Sequence, residues 1–361
     1  MKSLFATVVF GVLLGVSARA QERREFYNGI RSLGMGGVSV ATVNDETALL
    51  LNPAALGRLR DFYGTIFDPE IEFNNHVSPM RREKIFNSPF SITEISRVAL
   101  DNPGKQYHAR AQMFPSFVGR NFGIGLLGRY VLDVRSPAAA TVETFYQDDL
   151  ALVLGYNLRL WGGRLKIGVS GKVISRIELN EDLDTTQPVD NGSLAASGAL
   201  REGVGVSTDV GVQITAPWKL LPTVGAVLRD VGGTSFDKMT GFRGPDTTER
   251  PRLVRQDLDV GLSISPIHNN NVRSQWSIEY RGLLTASDEE DKAKLMHFGG
   301  ELNFGDRFFL RAGYHQRYWT AGLEIATERL QFQLSSHGEE MGTADGPRED
   351  RRVAAKLAVR F

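Results

Sequence analysis

Apolar and polar residues alternate along most of this 361-residue chain, from about residue 105 to its end. A period of two places the two kinds of side chain on opposite faces of a β-strand. The last segment is the clearest case, in which apolar Val353, Ala355, Leu357, Val359 and Phe361 interleave with basic Arg352, Lys356 and Arg360. Several of these segments are long enough to cross a bilayer as a tilted strand, which takes about nine residues.

The connections between the segments alternate between long and short. The long ones run from about Asp68 to Gln106, Ser136 to Thr141, Asn180 to Glu202, Gly232 to Arg255, Thr285 to Ala293 and His337 to Asp350. Short turns separate them, and only the tight turn near Gln316 breaks the order. A soluble β-sandwich also alternates in polarity, but it has no reason to sort its loops in this way. We therefore predict an all-β fold, a transmembrane antiparallel barrel of about 14 strands with both chain termini in the periplasm.

The amino terminus has the three regions of an export signal. Lys2 supplies the charge, Leu4 to Val16 is apolar, and Ala18-Arg19-Ala20 is a small-residue cleavage site. The predicted domains are a signal peptide (1–20), an N-terminal hatch (21–60) and a barrel (61–361). The aromatic residue at the carboxy terminus, Phe361, resembles the signal read by the outer-membrane assembly machinery, and we expect the protein in the outer membrane of a Gram-negative cell.

Composition argues against several classes of function. The 42 Lys and Arg residues equal the 42 Asp and Glu residues, so no basic surplus favours nucleic acid. There is no Cys for a thiolate metal site, and the six His residues form no metal motif. His297 and His315 lie on polar strand faces and could meet in the lumen, where solvated side chains are the simpler interpretation. We expect no metal, no cofactor and no enzyme, although an outer-membrane lipase assembled across strands stays possible.

The first forty residues of the mature chain differ from the rest. They contain the glycine motif Gly34-Met35-Gly36-Gly37 and the segment Asn52-Pro53-Ala54, where Pro53 should end or kink a short helix. They also contain apolar residues that need a place to be buried: Leu33, Met35, Val38, Leu49 and Leu51. A short helical plug inside the lumen would bury them, and Gly34, Gly36 and Gly37 would allow close packing there.

Residues 31–38 and 44–56, which include both motifs, resemble the amino-terminal signature of the FadL-like outer-membrane proteins, the long-chain fatty-acid transporter family. Residues 309–314 and 319–325 resemble late strands of the same broad group, which includes PorV-like secretion proteins. The resemblance implies a 14-strand barrel with a luminal hatch that carries the Asn52-Pro53-Ala54 box. It implies uptake of a hydrophobic, fatty-acid-like small molecule without chemistry, and contacts with outer-membrane lipid and lipopolysaccharide. The alternative is a structural or secretion adaptor that docks protein partners.

Overall fold

The computed structural model describes residues 22, 24–59, 61–75, 99–138, 141–184, 199–239, 243 and 249–361. The predicted signal peptide (1–20) lies outside these residues. Seventeen strand segments follow one another along the chain: β1 Tyr63–Phe67, β2 Glu70–Asn74, β3 Gln106–Met113, β4 Ser116–Val118, β5 Phe122–Ala138, β6 Thr141–Leu160, β7 Leu165–Asp184, β8 Arg201–Thr215, β9 Thr223–Arg229, β10 Phe236–Lys238, β11 Asp257–Ile264, β12 Val272–Tyr280, β13 Met296–Phe304, β14 Phe308–His315, β15 Tyr318–Ala326, β16 Leu330–Glu340 and β17 Glu349–Arg360.

Three pairs of segments each form one interrupted strand. β1 and β2 both pair with β17, β3 and β4 both pair with β5, and β9 and β10 both pair with β8. The 17 segments therefore make 17 − 3 = 14 strands in a single antiparallel sheet. The predicted 14-strand barrel is confirmed.

The barrel closes between its first and last strands. Thr65 lies opposite Arg360, and Ile71 lies opposite Ala355. The Gly64 N–H donates to the carbonyl of Phe361 at 3.2 Å, and the Phe361 N–H donates to the carbonyl of Gly64 at 2.9 Å. The last residue of the chain therefore completes the wall. We call the end of the barrel that holds Phe361 and the short turns the turn end, and the opposite end the loop end.

The two faces of the wall differ as the alternation predicts. On β6, Leu150, Leu152 and Leu154 point outward and are 39%, 43% and 45% exposed, whereas Asp149 and Val153 point inward and are fully buried. The outer face is thus an apolar band, and the inner face carries most of the buried charge. Such a surface is suited to lipid outside and to a filled lumen inside.

Five of the predicted long loops differ from the structure: β16 and β17 extend into 337–350, as far as Glu340 and from Glu349, β10 lies within 232–255, and three others begin or end elsewhere. Residues 136–141 were expected as a loop, but β5 extends to Ala138 and β6 starts at Thr141. Likewise β7 continues to Asp184 before the loop predicted from Asn180, and β2 occupies the start of the connection predicted from Asp68. The extended tips of β5, β6 and β7 cover their own apolar cluster, which includes Leu132, Val142 and Leu179. At about 3.3 Å per residue, a strand of 20 residues spans about 66 Å, more than a bilayer requires.

The helices are short and lie mostly before the barrel. α1 is Ile30–Gly34, α2 is Ala48–Leu51, and a 3₁₀ turn follows at Pro53–Arg58. Two further 3₁₀ turns connect strands, at Trp161–Gly163 and Lys292–Leu295. Within the described ranges, every helix is too short or too polar to pass through a membrane.

Candidate functional site

Residues 24–59 fill the lumen and form the hatch. The apolar side chains of α2 and the turn after it are completely buried, with Leu49 and Leu56 at 0% exposure. They pack with wall residues Phe114, Val153 and Ile174 in one cluster. At about 25 cal/mol per Å² of apolar surface removed from water, this burial is the main force that holds the hatch inside the barrel.

The glycine motif packs against β13, β14 and β15. Gly36 and Gly37 have φ angles of +69° and +87°, which disfavour any residue with a Cβ. A Cβ on Gly36 would lie 2.0 Å from the carbonyl oxygen of Phe298, and one on Gly34 would lie 2.9 Å from the Cα of Gly322. The motif therefore contacts the wall through its backbone.

Asn52, Pro53 and Ala54 pack against a different sector of the wall, on β7 and β8. The Asn52 side chain caps the following turn, because its Oδ1 accepts from the Ala54 N–H at 3.1 Å and its Nδ2 donates to the carbonyl of Val40 at 2.8 Å. The carbonyl of Ala54 accepts from Asn157 Nδ2 at 3.0 Å. The structure thus places both predicted motifs in the hatch, but it does not bring them together.

Glycines of the wall face the hatch at many of its contacts. The wall glycines that face the hatch, which we call the glycine seat, are Gly155, Gly168, Gly211, Gly225, Gly261, Gly299, Gly313 and Gly322. A Cβ on Gly299 would lie 1.9 Å from the Met35 carbonyl oxygen, and one on Gly168 would lie 2.2 Å from the carbonyl carbon of Pro53. At Gly299 and Gly168 a side chain would therefore displace the hatch backbone, whereas at Gly261 a Cβ would make only ordinary contacts, at 3.5 Å or more. The sequence shows these glycines, but nothing in it indicates which of its 38 glycines form the seat.

Ion pairs join the hatch to the wall around its circumference. Arg31 pairs with Glu301 on β13, with both contacts at 3.0 Å. Glu46 accepts two hydrogen bonds of 2.8 Å from Arg360 on β17. Burial by itself raises the pKa of the Glu46 carboxyl. The charges of Arg360 and Lys356 outweigh burial and lower this pKa to about 2. Removing one member of such a buried pair leaves an uncompensated charge, so these pairs make displacement of the hatch costly.

Cavities lie on both sides of the hatch. At the loop end, cavities of about 280 and 330 Å³ adjoin the segment before α1, and a cavity of about 520 Å³ lies at the turn end. A small cavity of about 20 Å³ is lined mostly by the hatch itself and is bordered by β2, β16 and β17. An apolar cavity of about 150 Å³ holds benzene, so the loop-end cavities have room for a molecule of that size and this small cavity does not.

The 280 Å³ cavity combines apolar and charged side chains. Its apolar side includes Phe26, Phe145 and Leu253. Its cations already have partners: Lys172 pairs with Asp209 at 2.8 Å, and other lining arginines pair in the same way with wall carboxylates. The cavity therefore has little unbalanced charge, although it is lined by many charged groups.

Histidine and carboxylate side chains form a buried network at the loop-end side of the hatch. His297 and His315 meet, with their Nδ1 atoms 3.0 Å apart, and both are buried, so the favoured interpretation as solvated side chains is wrong. A second group was not predicted, in which His108 lies 2.6 Å from Asp133 and 2.9 Å from Glu72. The sequence signal for this group is that His108, Asp133 and Glu72 all lie at inward-facing positions of neighbouring strands.

Within the described part of the chain, the one set of three residues spaced to hold a metal ion is Glu22, His108 and Asp133. Both ring nitrogens of His108 contact carboxylates, and Arg352 lies 2.8 Å from Glu22. A guanidinium already neutralises these carboxylates, so the set is better explained as a charge-balanced part of the hatch attachment.

Solved structures of bacterial channels resemble this barrel. The toluene transporter TodX from Pseudomonas putida matches with a TM-score of 0.53 and 12% identity, over 95% of this chain and 99% of its own. The Ralstonia pickettii toluene transporter TbuX and the monoaromatic hydrocarbon channel CymD each match with a TM-score of 0.52 and 12% identity, over 92% of this chain and 98% and 96% of theirs. The chain has the fold of these FadL-type channels. That confirms the predicted resemblance at the level of the fold. No protein-family model and no curated protein sequence matches the chain.

Proposed function

We propose that this protein is an outer-membrane channel that admits hydrophobic small molecules and performs no chemistry. The observation that carries the proposal is the hatch inside the lumen, with cavities of about 280 and 330 Å³ on its loop-end side and one of about 520 Å³ on its turn-end side. The apolar outer band and the similarity to hydrocarbon channels support it. By analogy with such barrels, the loop end faces outward and the turn end faces the periplasm.

The ligand we propose is a compact apolar molecule about the size of a single aromatic ring. The 280 Å³ cavity has room for it, and Phe26, Phe145 and Leu253 offer apolar contact. The external segments 180–202 and 237–255 contain no pair of apolar helices in sequence that would collect a long acyl chain. We therefore favour the broader class of hydrophobic compounds over fatty acids.

Passage requires the hatch to move, with Gly34, Gly36, Gly37, Asn52, Pro53 and Ala54 as its contacts with the wall. A disulfide tests this directly, because the chain has no Cys and the Cβ of Ala41 lies 3.6 Å from the position of a Cβ on Gly261. That separation is suitable for a disulfide. We expect cells that carry the oxidised Ala41→Cys/Gly261→Cys variant in a lipopolysaccharide-containing outer membrane to lose the toluene uptake that the protein provides, and to recover it after reduction.

The two single-Cys variants, oxidised in the same way, are the matched controls and should retain uptake. Full uptake by the cross-linked double variant would contradict a moving hatch. An adaptor that only docks protein partners would add nothing, in either redox state, to the toluene uptake of cells that lack the protein, so the reduced protein separates that alternative from the channel.

A further inference from the structure

Two histidine rings lie directly against the glycine motif of the hatch. His297 on β13 and His315 on β14 are paired in register, and both are buried. The Nδ1 of His297 is 3.1 Å from the carbonyl oxygen of Gly36. A Cβ on Gly37 would lie 2.7 Å from the Nδ1 atoms of both rings. The contacts of the Gly36–Gly37 bend therefore depend on which of the two Nδ1 atoms carries a hydrogen.

The geometry allows one hydrogen atom between the two rings. Nδ1 atoms that are 3.0 Å apart need one donor and one acceptor, and a carbonyl oxygen can only accept. The Nδ1–H of His297 is therefore the donor, shared by His315 and the carbonyl of Gly36. His315 Nε2 is 3.0 Å from Glu339, so its hydrogen lies on that side and its Nδ1 is left to accept. This assignment satisfies these three contacts with two neutral rings.

A second proton disrupts this arrangement. On the Nδ1 of His315 it would set two N–H groups against each other, and if His297 gave up its own hydrogen, the carbonyl of Gly36 would lose its donor. An unperturbed histidine takes up this proton near pH 6.5. We propose that the His297–His315 pair is a proton-controlled latch, which holds the Gly36–Gly37 bend of the hatch near neutral pH and releases it in acid.

Charged groups from the surrounding elements define how the latch responds. They are Glu339 and His337 on β16, Glu72 on β2, Arg352 on β17, Glu279 on β12, Arg281 just after it, and Glu25 before α1. Glu339 contacts His315 and favours the added proton there. Arg281 donates to the Gly37 carbonyl and to Ser39 Oγ, so the bend keeps one attachment after the latch opens. The expected result is local loosening with the barrel intact.

Hydrogen–deuterium exchange of the full-length protein in detergent measures this loosening without any transported compound. The amides to follow are in residues 33–40, where the Gly37 N–H donates to the Ser32 carbonyl at 2.8 Å. After correction for the intrinsic pH dependence of exchange, we expect these amides to exchange about fivefold faster at pH 5 than at pH 7.5, the effect of one lost hydrogen bond. Amides of β6 and β7 should not change.

The His315→Gln variant fixes the neutral pattern, because its amide can donate to Glu339 and accept from His297 but cannot take up a proton. It should exchange equally at both pH values, whereas His268→Gln, in the β11–β12 turn, should keep the response. The latch is refuted if the wild-type protein shows no pH response, or if His315→Gln retains one. Should His315→Gln fail to assemble, Glu339→Gln decides instead: its response must move to lower pH, and an unmoved midpoint contradicts the latch. None of these failures bears on the proposed channel.

Discussion

Replacing Gly36 by alanine tests whether backbone contact with the wall holds the hatch in place. Its φ of +69° costs a residue with a Cβ about 1–2 kcal/mol. The added Cβ would also lie 2.0 Å from the Phe298 carbonyl oxygen and 2.8 Å from the Tyr314 nitrogen, which belong to the wall backbone and cannot rotate away. Overpacking of this kind costs about 1–3 kcal/mol, so docking of the hatch should weaken by about 2–5 kcal/mol in total. Even the lower limit shifts the docking equilibrium about 30-fold.

The assay uses a single cysteine in place of Val43, which is 3% exposed and belongs to the core cluster of the hatch. A maleimide reaches this thiol only when the hatch undocks, so the labelling rate reports the population of undocked hatch. Gly36→Ala should label at least about 30-fold faster than its parent.

The matched control is Gly305→Ala in the turn between β13 and β14. It has a φ of +63°, and nothing in the described structure lies within 4 Å of its Cβ position, so it adds backbone strain without contact with the hatch. Its labelling rate should equal that of the parent. Equal rates for Gly36→Ala and Gly305→Ala would refute the reasoning, because a Cβ against the wall backbone would then have no effect on docking of the hatch.

Two further substitutions test other contacts. Glu46→Gln leaves Arg360 without its buried partner and should weaken docking by about 3–5 kcal/mol, seen as faster labelling of the Val43 cysteine, whereas Glu290→Gln on the surface should change nothing. Phe361→Ala should reduce the amount of barrel whose gel mobility changes on boiling, because we propose that this residue is the assembly signal. Leu357→Ala, on the same outward face, should assemble normally, and equal yields of the two variants would count against that role.

The strands could be predicted because burial on one face leaves a period of two in the sequence. The predicted strand bounds were wrong where a strand extends beyond the membrane, as β5 does, or where a strand segment is short, as β2 is. Pro137 lies near the end of β5, where a proline needs no ladder hydrogen bond, and its presence in a polar segment predicts a loop that the structure does not have. On β2, Ile71 and Phe73 alternate with Glu70 and Glu72, and this short pattern was overlooked beside the long polar segment that follows.

The candidate site could be predicted only in part. The need to bury Leu33, Met35 and Leu49 indicated a plug, because an apolar segment outside a barrel has little else to pack against. Its partners in the wall could not be predicted, since contacts such as Gly36 with Phe298 join residues that are more than 250 positions apart and depend on the shear of the closed barrel. The His297–His315 contact was accessible because adjacent strands joined by a tight turn fix their own register.

The glycine seat also limits how this protein can change. In most protein cores a larger residue on one side is accommodated by a smaller one opposite, but no residue has a smaller side chain than glycine. A bulkier residue at Gly36 therefore has no compensating substitution at Gly299 or Gly313, since those positions are already at the lower limit of size. The hatch and the wall can diverge in sequence elsewhere. Where Gly36 meets the wall, a residue with a side chain fits only if the backbone of the hatch or of the wall moves.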